Sequence, residues 1–76
     1  MSRRPAKRSL TLAGHRTSVS LEDEFWDALR HIAADQGLPV NTLAAQIDSE
    51  RPPDQGLASA LRIHVLEWYQ RPGSDP

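Results

Sequence analysis

The chain has no cysteine among its 76 residues. Disulfides and thiolate metal sites are therefore excluded. Long apolar runs are also missing. None approaches the ~20 residues that a membrane-spanning helix requires. "LTLA", residues 10–13, is too short for the roughly 7–15-residue apolar region of a secretion signal. These absences predict a cytoplasmic protein with no membrane partner. There is no glycine-rich phosphate loop, no cysteine nucleophile and no carboxylate pair with an evident pocket. Ser, His and Asp occur, but no motif places them together, so the chain does not read as an enzyme and implies no cofactor. His15, His31 and His64 lack ligand-like spacing and read as surface or half-buried side chains rather than metal ligands. A chain this short buries only about 60% of its unfolded surface. Small folds usually add disulfides, a metal or a partner chain. With the first two routes closed, association with a second copy remains.

What is present is a segregation of charge. The formal net charge is −1. Residues 1–16 carry Arg3, Arg4, Lys7, Arg8 and Arg16 with no acid, for +5. Residues 17–76 hold four basic residues and all ten acids, for −6. This pattern suits a basic arm that meets a polyanion and an acidic body that does not. Residues 1–8 are small, basic and proline-containing. They read as a flexible arm whose Arg3, Arg4, Lys7 and Arg8 contact phosphates; the plain alternative is a solvated tail.

Residues 9–71 read as one domain, followed by a frayed tail over 72–76. A strand is expected at about 15–21 and helices at about 22–36, 40–49 and 55–70. "SLTL" at 9–12 alternates too, but Leu10 and Leu12 are even-numbered whereas Val19 and Leu21 are odd. A break near Ala13–Gly14 must absorb that slip, either as the turn of a hairpin or as a kink in one extended segment. Ser20 with Asp23 resembles a capping box for the first helix, and Glu22, Asp23 and Glu24 suit its positive end. Phe25, Trp26, Leu29, Ile32 and Ala33 make its apolar stripe. Gly37 is the stop signal, and Pro39 opens a short second helix. Asp54 is a candidate N-cap for the third. Leu57, Ala58, Leu61, Val65, Trp68 and Tyr69 form that helix's main face, widened by Ile63 and Leu66. An arc so broad is buried on more than one side, and the second side is expected to be another copy of the chain. The few aromatic residues sit at helical spacings and read as core.

The strand carries the functional signal. Arg16, Ser18 and Ser20 share one face, and Thr17, Val19 and Leu21 share the other. A two-stranded antiparallel ribbon fits the major groove of duplex DNA, where Arg bonds guanine and Ser hydroxyls bond several bases. Arg16, Ser18 and Ser20 are thus the candidate base-contacting residues. The second strand is expected from a second copy across a two-fold axis.

At this point "RTSVSLEDEFWDALRHIAADQGL" resembles the strand and first helix of ribbon-helix-helix proteins, the class of the Arc and Met repressors. "LASALRIHVLEWYQ" resembles their second helix. The resemblance implies a mainly α fold with one short strand per chain. It also implies an intertwined homodimer with an intermolecular ribbon, and a DNA-binding, repressor-like function. It implies that the backbone at Gly56, Leu57, Ala58 and Ser59 holds a DNA phosphate. Val19, Leu21, Trp26, Leu29, Leu61, Val65 and Trp68 are expected in the dimer core. Residues 39–55 and the extension "SLTLAGH" look additional to the minimal pattern.

Two rival readings compete. "LRHIAADQGLPVNTLAAQI" resembles a helix-turn-helix whose reader would offer Asn41, Thr42 and Gln46, but no Lys or Arg. Facing phosphates, such a helix is poor. The other rival is an antitoxin-like dimerisation module without independent DNA binding. Only a short tail follows the third helix, which counts against it.

Overall fold

The computed structural model describes residues 4–73. Arg3 and the end of the expected tail lie outside the described residues. The elements run β1 (Ala6–Leu12), β2 (His15–Leu21), α1 (Asp23–Asp35), α2 (Val40–Glu50) and α3 (Leu57–Gln70). A two-stranded antiparallel sheet packs over three helices.

The partner of β2 is β1 of the same chain, which corrects the expectation of one strand per chain. The register pairs Ala6 with Leu21, Arg8 with Val19, Leu10 with Thr17 and Leu12 with His15. A two-residue connection pairs odd positions with even ones, so the slip in apolar parity is what a hairpin requires. Ala13 (φ 51°) and Gly14 (φ 85°) both adopt positive φ in the turn. Two such residues in a two-residue loop give the turn whose twist matches that of the strands. Residues 6–8 therefore belong to a strand, not to a flexible arm.

The sheet's inner face supplies Leu10, Leu12, Val19 and Leu21 to the core. Beneath it lie Leu29, Ile32 and Ala33 of α1, Leu43, Ala44 and Ile47 of α2, and Ala60, Leu61 and Val65 of α3. Val19, Leu21, Leu29, Leu61 and Val65 are thus buried within one chain, where a dimer core was expected. Trp26 and Trp68 pack against this core and stay partly exposed.

The helix ends show where local signals act. Gly37 takes φ 71°. The Leu38 N–H bonds the Ala33 carbonyl at 2.8 Å and the Gly37 N–H bonds the Ala34 carbonyl at 3.1 Å. This pair of bonds closes α1 and needs the left-handed residue that glycine accepts without strain. The Ser20–Asp23 capping box does not form; Glu22 is the N-cap, without a side-chain cap. Ser20 stays in β2, pointing outward, and cannot also turn toward the helix. Asp54 is not the cap of α3 either; Gly56 is. Arg51 holds the preceding loop as a turn by donating to the Gln55 carbonyl at 2.6 Å, and the Gln55 N–H bonds the Pro52 carbonyl at 3.0 Å.

Candidate nucleic-acid interface

Strand alternation divides the hairpin into an apolar face and a polar one. Arg16, Ser18 and Ser20 are exposed and share the outer face. Opposite them stand Thr11, Ser9 and Lys7, respectively, also exposed. The outer face is therefore a ribbon of two cations and four hydroxyls without an acid. Sequence reasoning missed Ser9 and Thr11 and placed Lys7 on an arm. The signal was available: continuing the alternation back from Leu12 and Leu10 puts Lys7, Ser9 and Thr11 on the outside.

The same alternation turns Arg8 inward, beside Leu10 and Leu12. Its side chain is 19% exposed and forms an ion pair with Asp23. It donates to the Leu21 carbonyl at 3.3 Å, and its guanidinium lies 5.5 Å from the centre of the Trp26 ring. Its placement beneath the sheet removes Arg8 from the expected phosphate contacts.

Each sheet edge has one occupied position. Backbone groups of an antiparallel pair point alternately toward the partner strand and away from it. The Thr11 N–H bonds Asn41 Oδ1 at 3.2 Å, and the Ser20 carbonyl accepts from Arg62 at 3.4 Å. Thr11, Arg16, Ser9, Ser18, Lys7 and Ser20 are thus the positions whose backbone groups face outward along the two edges. Asn41, a candidate of the helix-turn-helix reading, has its Oδ1 engaged by β1. The β2 edge stays open at Arg16 and Ser18, and the β1 edge at Ser9 and Lys7.

Arg62 ties that edge to α1 and α3. It reaches Glu22 at 2.9 Å and lies 5.7 Å from the centre of the Phe25 ring. Glu22's carboxyl is held below the usual value, first by a hydrogen bond to its own backbone N–H and then by Arg62. Beside Arg62 runs an apolar groove of about 290 Å³ lined by Phe25, Ile63, Val65, Leu66 and Tyr69. Ile63, Leu66 and Tyr69 are 42%, 55% and 49% exposed. These exposures, not the buried residues, mark the part of the α3 arc left uncovered by the chain itself.

The start of α3 adjoins the ribbon. Leu57, His15, Thr17 and Ser18 line one cleft of about 280 Å³ with Asp48 and Arg51. Gly56 caps α3 with no side-chain cap bond, so the helix begins with backbone N–H groups that no side chain of the cap satisfies.

Among the described residues, no helix is long and apolar enough to cross a membrane. No characterised protein and no solved structure matches the chain. A family model, ribbon-helix-helix domain, matches residues 5–69. That span runs from before β1 into the last turn of α3. Ribbon-helix-helix domains are DNA-binding regulatory or antitoxin folds rather than enzymes, and generally bind DNA as dimers. On this match over most of its length, the chain belongs to the ribbon-helix-helix domain family.

Proposed function

We propose that this protein is a sequence-specific DNA-binding regulator, a cytoplasmic transcriptional repressor that reads the major groove as a homodimer. The observation that carries this reading is the acid-free outer face of the hairpin, set on a body that holds all the acids. In this reading Arg16 bonds guanine, and Ser18 and Ser20 offer hydroxyls to neighbouring bases. The amides at Leu57, Ala58 and Ser59, following Gly56 at the end of α3 that shares a cleft with the ribbon, hold a flanking phosphate. Arg3, Arg4 and Lys7 add sequence-independent attraction.

The second copy joins along the open β2 edge and the adjoining groove, which meet at Arg62. Pairing there satisfies the outward backbone groups of Arg16 and Ser18 and covers Ile63, Leu66 and Tyr69. The test is selection of bound duplexes from a random pool at two salt concentrations. The expected result is a sequence with two-fold-related half-sites, bound more weakly as salt rises. Salt-insensitive dimers that enrich no duplex would mark an interaction module instead and overturn the proposal.

A further inference from the structure

Each copy brings two strands, so joining two copies at β2 makes a four-stranded sheet with the β1 strands outermost. Neighbouring strands lie about 4.8 Å apart, which sets the outer pair about 14 Å apart. The major groove is about 12 Å wide. The outer strands therefore cannot follow the central pair between the walls. They come to rest over the phosphate backbones on either side.

We infer that β1 is a phosphate rail, with Lys7 its charged contact, while β2 alone faces the base edges. This rests on the dimeric DNA-binding reading above. Lys7 is exposed and held opposite Ser20 by the hairpin register. Its position relative to the groove is thus fixed by a strand rather than by a tether. Ser9 and Thr11 extend the rail with short hydroxyls that let a backbone approach closely. A sheet halted on the walls also stands off the floor of a groove about 8.5 Å deep. Arg16, the longest side chain on the central strands, then reaches bases directly, and Ser18 and Ser20 act through ordered water.

The experiment compares Lys7→Ala with the full-length wild type on the selected duplex and on random duplex, across salt concentrations. Lys7 is exposed, so the variant folds; circular dichroism checks this. Two lysines per dimer each give about 0.9 in the slope of log affinity against log salt, for a loss of about 1.8. Between 50 and 200 mM salt this makes the fall in affinity roughly tenfold smaller. The weakening is equal on both duplexes, and the preferred sequence is unchanged. A changed base preference overturns the rail, because β1 would then lie inside the groove and a single hairpin would be the reader. An unchanged slope with intact wild-type binding overturns it as well, placing Lys7 clear of the DNA. Failure of the wild type to bind any duplex instead overturns the DNA-binding reading itself.

Discussion

Replacing Arg8 with alanine separates a structural cation from a DNA contact. Arg8 has three partners: the Asp23 carboxylate, the Leu21 carbonyl and the Trp26 ring. The ion pair is half open, because Asp23 is 60% exposed, so it contributes about 0.2–1 kcal/mol. A guanidinium over an aromatic face adds about 0.5–1 kcal/mol. The charged hydrogen bond to Leu21 is long and belongs at the low end of about 1.5–3 kcal/mol. Against these stands Arg8 Nε, which is buried without a hydrogen-bond partner and costs about 1 kcal/mol or more. The net loss for Arg8→Ala is about 2 kcal/mol. For a domain of this size that lowers the melting temperature by roughly 8–16 °C. Arg8→Lys keeps the charge but loses the planar fork, so it recovers only part of the loss. Thermal unfolding followed by circular dichroism reads the stability, and duplex titration across salt reads the contact. The salt slope of the folded Arg8→Ala protein should match the wild type. A variant that melts with the wild type yet binds with a shallower slope would refute the inward placement and restore Arg8 to the phosphate contacts.

Ala13→Asn should stabilise the hairpin by about 1 kcal/mol, because Asn tolerates the left-handed conformation that Ala13 holds at a cost; a lower melting temperature would contradict the turn geometry. Arg16→Ala should cost about 1–3 kcal/mol on the preferred duplex and relax one position per half-site, with Arg16→Lys restoring only part of the discrimination. Equal weakening on random duplex would make Arg16 a phosphate contact. Leu66→Glu should leave helicity intact, since the side chain is half exposed, and convert the proposed dimer to monomers in light scattering; an unchanged mass would remove the groove from the interface. Glu22 has a depressed pKa in the folded chain. The stability it contributes is complete above its ordinary value of about 4.5 and is lost as pH falls through the lower folded value. The wild type should therefore lose more stability than Glu22→Gln on acidification, and parallel melting profiles would show the carboxylate to be uncoupled from folding.

The helices were legible because their signals are local. The spacing of Leu29, Ile32 and Ala33, and Gly37 at a position of positive φ, act within a few residues. The ribbon was only half legible. The parity of Leu10 and Leu12 against Val19 and Leu21 announced a break, but a hairpin and a kink satisfy that pattern equally until three-dimensional pairing chooses. Ala13 hid the choice, since Asn or Gly would have signalled the turn. Arg8 was misread because charge predicts solvent, whereas alternation in an unrecognised strand points inward. The expected dimer core was legible only as burial. Periodicity shows that Leu61 and Val65 are buried, but not whether the same chain or its partner buries them. Arg16, Ser18 and Ser20 share an exposed face because a period of two residues is a property of the strand alone.

The occupied positions of the sheet edges bear on growth. An exposed strand edge is a template for adding further chains. Joining β1 of one molecule to β2 of the next would be head-to-tail, and such contacts propagate into filaments when they do not close. Asn41 occupies the β1 edge at Thr11 and obstructs that mode. The proposed pairing of β2 with its own equivalent leaves the two β1 edges outermost, with Asn41 standing at Thr11 of each. Asn41 thereby guards one position of an edge that could otherwise recruit a further chain, and its loss should show first as polymerisation rather than as unfolding.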